Sequence, residues 1–203
     1  MNRLLIVLVL FVAWGTVLPP SSAIAQQPLV IKPLAEKKVS ELPDGPLFWR
    51  IEEFSTAAQA RAAESNWALA AESAGRFWVF TLGPAGGSST GGKRVAELGP
   101  IARVAAPQYL LRINEASGPP GSTTPVHTHP GSEAFFVLSG QQSIRSPQGV
   151  VNIDAGKTNV GHGADSAMQV SSSGSSDLLA LVMFVVDGTK PFSSPAALPP
   201  SGK

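Results

Sequence analysis

The sequence predicts an all-β barrel or sandwich, and three observations carry that reading. From Gln108 onward, short runs of β-formers alternate with turn residues at intervals of roughly 8–12 residues, the rhythm of a closed or double sheet. The chain holds 20 Gly and 18 Pro, enough to supply many tight turns. Only 14% of its residues are charged, and a single stretch has a helical pattern.

The elements follow in order. Met1-Asn2-Arg3 leads into a mostly apolar run from Leu4 to Leu18 and a small-x-small site before Gln26. This is the pattern of a signal peptide over 1–25, cut after Ala25, and it predicts a secreted or periplasmic protein. The apolar run is shorter than the roughly 20 residues a spanning helix needs. No cysteine is present, which excludes disulfides and lipid attachment at a cleavage-site cysteine. Arg3 is the only charge in the leader, so its removal takes the formal net charge from +1 to zero. A neutral chain without a Lys/Arg cluster lacks the footprint of a nucleic-acid or anionic-membrane partner.

Residues 26–46 read as an extended, partly mobile lead-in. Residues 47–190 form the barrel domain with its N-terminal extension, with the motif core in 108–186. Pro46 to Ile51 is a short strand or a segment docked over an open end of the core. Ser55 or Thr56 caps an alanine-rich helix from Ala57 to Ser65, read as packing. Trp67–Glu72 and Arg76–Leu82 bracket Ser73-Ala74-Gly75 as a hairpin. Gly83 to Lys93 is a flexible loop without the helix and Lys-Ser/Thr ending of a phosphate loop. Strands are expected over 108–114, 125–129, 133–138, 141–145, 150–153, 168–171 and 178–186. The Pro- and Ser-rich stretch 191–203 reads as a flexible tail.

The chemistry concentrates in 121–140. Gly121, His127, His129, Glu133 and Gly140 stand at fixed spacings, and two of the chain's three histidines are among them. On a strand, side chains at i and i+2 share a face, so His127 and His129 point the same way. Pro130-Gly131-Ser132 turns the chain, and Glu133 opens an apolar run on which Glu133, Phe135 and Val137 share a face. Two neutral imidazoles and a carboxylate suit one divalent ion (Fe, Mn or Zn) and leave coordination positions open. Phe135 and Val137 are then a dry wall of the substrate site. Arg112, in an apolar strand, is the candidate clamp for a substrate carboxylate.

These spacings resemble the first signature motif of the cupin superfamily at every fixed position. The resemblance covers about the C-terminal half of the mature chain. It implies a jelly-roll barrel, or double-stranded β-helix, with a metal held by His127, His129 and Glu133. It also implies a fourth ligand from a second motif, and pairing of two barrels through edge strands as a homodimer. The second motif departs from the pattern. Counting forward from Gly156 places its histidine slot at Asn159, whereas counting back from Ser172 places it at Met168. A one-residue shift offers Gln169, which is preferred on ligand chemistry because a thioether suits softer ions. His162, between Gly161 and Gly163, is a competing third imidazole on a turn.

Two functions remain open at this level. One is an exported metal-dependent oxidoreductase, dioxygenase-like, acting on a small organic molecule. The other is a non-catalytic barrel binding a metal or small ligand. A metal-free barrel is a third, and the fold alone chooses none of them.

Overall fold

The run Leu178 to Val186 contains no polar side chain, so a strand built from it must be covered on both faces. In the computed structural model, which describes residues 27–198, that strand is the middle layer of the molecule. The leader expected over 1–25 lies outside the described residues. In chain order the strands are β1 (Val30–Val39), β2 (Leu47–Phe54), β3 (Ala68–Ser73), β4 (Arg76–Gly83), β5 (Lys93–Ile101), β6 (Tyr109–Gly118) and β7 (His127–Thr128). There follow β8 (Gly131–Ser139), β9 (Gln141–Ser146), β10 (Gly149–Asp154), β11 (Thr158–Val160), β12 (Gln169–Ser172), β13 (Leu178–Asp187) and β14 (Ser194–Pro195). One short helix, α1 (Ala57–Ala62), follows β2, and the hydroxyl of its cap Thr56 accepts from Gln59 N at 3.2 Å.

The barrel is an all-β jelly roll of antiparallel strands. One sheet has the order β1-β6-β13-β8-β11, and the other is β10-β9-β12. The second is continued by bridges Thr123↔Ser171 and His127↔Met168 toward the β7–β14 pair. Alternation along β13 sorts its side chains. Leu178, Ala180, Val182, Phe184 and Val186 point into the barrel with Phe135, Val137, Ile144 and Val170. Leu181, Met183 and Val185 point out, with Ala134 and Phe136 of β8, and are covered by a further sheet of order β3-β4-β2-β5. Trp49, Trp78 and Phe80 fill that interface, and Trp78 meets Phe136 edge-on at 6.2 Å between centroids.

Several expectations change here. The lead-in is not a mobile arm: β1 pairs with β6 from Val30↔Ser117 to Val39↔Tyr109. Pro33 is accommodated because β1 is an edge strand with a register shift between Pro33 and Ala35. The segment from Leu47 is a central strand of the outer sheet, flanked by β4 and by β5, a strand the sequence did not announce. The hairpin of β3 and β4 stands where expected, with Ala74 and Gly75 at φ 55° and 66°, as a tight two-residue turn requires. The motif glycine Gly140 has φ +71°, and a Cβ there would meet Asp177 O at 2.6 Å. Only glycine fits that corner between β8 and β9.

Candidate functional site

One end of the barrel holds a pocket of about 360 Å³ between β6, β8, β12, β13 and the segment around β7. His127, His129 and Glu133 all line it. β7 is held in place by a reciprocal pair, His127 N donating to Met168 O at 2.9 Å and Met168 N to His127 O at 2.8 Å. Glu133 is covered from the far side by the chain leaving β11, where Gly161 N donates to Glu133 O at 3.0 Å. A Cβ on Gly161 would lie 2.8 Å from Glu133 Cγ and 2.9 Å from Phe135 Cε2, so glycine lets the backbone lie flat on the carboxylate stem.

Both imidazoles are oriented by main-chain carbonyls. Nδ1 of His127 donates to Pro125 O at 2.9 Å, and Nδ1 of His129 donates to Phe192 O at 2.6 Å. A proton fixed on Nδ1 leaves Nε2 with its lone pair, the arrangement of a metal-ligating histidine. The two rings stand edge to face with centroids 4.9 Å apart. His129 is 5% exposed and Glu133 is 2% exposed. Burial lowers the His129 pKa to about 4; the Phe192 carbonyl opposes that shift, and the charges of His127 and Arg112 add to it. Burial likewise pushes the Glu133 carboxyl up to about 8. His129 Nε2 and Glu133 Oε2 stand 4.0 Å apart, but at neutral pH these shifts make them two neutral groups and not an ion pair.

The donor set suits a divalent metal in kind. It offers two imidazole nitrogens with free lone pairs and a buried carboxylate whose Oε1 has no hydrogen-bond partner. Among the described residues, no three His, Cys, Asp or Glu side chains stand close enough to enclose an ion as they are placed. His127 is half-buried in the pocket lining, where its Nδ1 is held by Pro125 O.

The remaining expected residues divide. Phe135 lines the pocket, but Val137 sits deeper in the barrel core and does not. Gln169 is on the outward register of β12. Its amide donates to Thr124 O at 3.0 Å and accepts from Arg145 at 3.1 Å, so it faces away from the pocket. Alternation puts Met168 and Val170 inward instead, and Met168 lies opposite His127, where the second-motif histidine was expected. Arg112 is not among the residues that line the pocket: its Nε donates to Glu36 at 2.9 Å, and its guanidinium lies 4.2 Å over the Phe192 ring. His162 lies outside the pocket lining, on the loop after β11.

What the sequence reading missed is the tail. Ser194↔Thr128 and Pro195↔His127 pair as β14 on β7. Phe192 packs on His129 and Phe184, with centroids at 4.7 and 4.9 Å. An aromatic amid Pro and Ser was the available signal. Replacing Phe192 with alanine is expected to cost about 1–2 kcal/mol, the worth of a half-buried aromatic. It should also speed diethylpyrocarbonate modification of His129. Unchanged urea midpoint and modification rate would show that the tail does not cover the site.

No family model and no curated protein matches the sequence. Solved structures do resemble part of it. A cupin superfamily protein from Desulfitobacterium hafniense is 14% identical over 38% of this chain and 68% of its own, with TM-score 0.35. A double-stranded β-helix protein from Klebsiella pneumoniae is 21% identical over 43% and 76%, with TM-score 0.37. An oxalate decarboxylase from Lactobacillus farciminis is 18% identical over 42% of this chain and 26% of its own, with TM-score 0.37. The chain thus spans less than two thirds of some of the structures it resembles. The chain's own strand order is that of a double-sheet antiparallel jelly roll, with the first-motif residues lining a pocket at one end of it.

Proposed function

We propose that this is an exported metal-binding barrel in which His127, His129 and Glu133 hold a divalent ion beside a small-molecule pocket. The observation that carries the reading is the pair of imidazoles with Nδ1 committed to backbone carbonyls, facing a buried carboxylate with an unpartnered oxygen. A metal bound there supplies Lewis-acid or redox chemistry at open coordination positions, and oxidoreductase activity on a small organic molecule is the proposed class. The protein's own residues orient the ligands, and Phe135, Phe184 and Phe192 exclude water, which strengthens every electrostatic interaction inside.

A second reading, a non-catalytic binding barrel, is favoured by one observation. Met168 occupies the inward position opposite His127, which leaves three donors and no fourth imidazole. Dialysis of the purified chain against Zn(II), Mn(II) or Fe(II), followed by elemental analysis, tests the shared claim. One ion per chain, released by chelator, is expected; no retained metal overturns both readings. Oxygen uptake that depends on the ion separates the enzyme from the binding module.

A further inference from the structure

The segment after β13 touches the candidate metal residues more closely than packing alone requires. β13 ends in a fixed turn. Gly188 N donates to Gln108 O at 2.8 Å, and the Asp187 carboxylate accepts from Thr189 N at 2.9 Å and from its hydroxyl at 2.6 Å. Beyond that turn Phe192, Ser193, Ser194 and Pro195 form one side of the pocket. Pro191, Ser193, Ser194 and Pro195 are exposed, and Phe192 is half-buried.

The attachments of this segment are few, and they fall on the site itself. Phe192 O accepts from Nδ1 of His129 at 2.6 Å, and Ala196 N donates to Val126 O at 3.1 Å. β14 pairs with β7 alone among the described residues, and one of the two β7 residues is His127. The Phe192 ring is the anchor, packed on His129 and Phe184 and lying under the Arg112 guanidinium. A segment with so few backbone bonds opens at a fraction of the cost of unfolding the barrel, and its release leaves both barrel sheets intact. A carbonyl can only accept, so the docked Phe192 O keeps the His129 proton on Nδ1. Once the segment leaves, the ring is free to carry that proton on Nε2, the nitrogen a metal needs bare.

We infer that residues 191–196 are a releasable strap whose docking and metal binding favour one another, with Phe192 as the positioning residue for His129. The inference rests on the metal reading given above and adds a regulation to it. Linkage is reciprocal: a strap that raises metal affinity is itself held down by bound metal.

Chymotrypsin digestion and zinc titration of the full chain test it together. The bond after Phe192 is the reporter, because the docked ring is held in the site and reaches the protease only on release. Cleavage there tracks the released population when opening is fast relative to cleavage. Mass spectrometry reads the cut, with a free peptide substrate as the control for the protease. Saturating Zn(II) is expected to slow it at least about 5-fold relative to the chelator-treated chain. In Phe192→Ala the Zn(II) affinity is expected to fall about 10-fold, the worth of a partner that orients a ligating histidine. Phe192→Leu, which keeps an apolar anchor, should recover to within about 3-fold of the wild type. Imidazole nitrogen NMR of the chelator-treated chain should show the His129 proton on Nδ1 in the wild type and partly on Nε2 in Phe192→Ala.

Equal cleavage with and without Zn(II), wild-type affinity in Phe192→Ala, or an Nε2 proton on His129 of the wild type would each overturn the inference. If circular dichroism shows that Phe192→Ala does not fold, the wild-type digestion and imidazole spectrum decide. Zinc retained without protection of the strap sinks this inference alone, whereas no retained zinc sinks the metal reading and this inference with it.

Discussion

Replacement of His129 by alanine is expected to lower affinity for Zn(II) or Mn(II) by at least about 100-fold, since even an outer partner of a ligand is worth 10–100-fold. His129 is the better fixed of the two imidazoles, buried and held through Nδ1 by the Phe192 carbonyl. Its loss removes a donor that no neighbouring side chain replaces, because Met168 opposite His127 offers only a soft thioether. Glu133→Gln is expected to weaken binding as well, by removing the only carboxylate among the described residues that line the pocket. Gln169→Ala and His162→Ala should stay within about 3-fold of the wild type, because neither side chain lines the pocket and outlying groups contribute little. Titration calorimetry with circular dichroism as a folding control decides the matter. A loss in Gln169→Ala as large as that in His129→Ala would contradict the ligand assignment.

The metal-free protein is expected to lose stability as pH rises above 6.5, and Glu133→Gln is expected to remove that loss. Burial raises the Glu133 pKa from 4.5 to about 8, so its contribution is fully present below 4.5 and is lost as pH rises through 8. His129 works the other way. Its pKa is lowered from 6.5 to about 4, so its contribution is present above 6.5 and is lost as pH falls through 4. Between 4.5 and 6.5 the two slopes cancel. From 6.5 to 8 Glu133 acts alone, and at about 1.4 kcal/mol per pH unit the decline is about 2 kcal/mol. Urea unfolding at pH 6.5 and 8 in the presence of chelator reads it. A decline of equal size in wild type and Glu133→Gln would show that another group causes it. Saturating metal should abolish the decline, since binding favours the ionised carboxylate.

The part of the fold that was legible is the part written as alternation. The strands from Tyr109 to Asp187, apart from the three-residue β11 (Thr158–Val160) that the sequence reading passed over, announce themselves because apolar residues recur between Gly and Pro turns. The outer sheet was only partly legible. Its hairpin carries a turn signal, but β5 opens on two charges and contains the pair Gly99-Pro100, which disguise a strand. The apolar run 178–186 did contain the message that β13 is sandwiched on both faces, although it does not say by what.

The candidate site divides in the same way. His127, His129 and Glu133 converge on one pocket because i, i+2 alternation and a short turn determine their facing. The fourth position was misjudged because ligand chemistry was preferred to register. Val170 and Met168 must face inward for the barrel to have a core, and that forces Gln169 out. Arg112 shares the inward register of Phe184, but its partners Glu36 and Phe192 lie 76 and 80 positions away in sequence, beyond any local pattern. The burial of Glu133 likewise depends on Gly161 lying across it, a contact made only by folding.

The central claim is a metal held by three named side chains. Anomalous X-ray scattering from crystals of the Zn(II)-soaked protein tests it most directly. The account predicts a single strong peak at the barrel mouth, about 2.0–2.2 Å from Nε2 of His127, Nε2 of His129 and a Glu133 carboxylate oxygen. A peak on His162 or Gln169, or no peak between the two imidazoles, would contradict it.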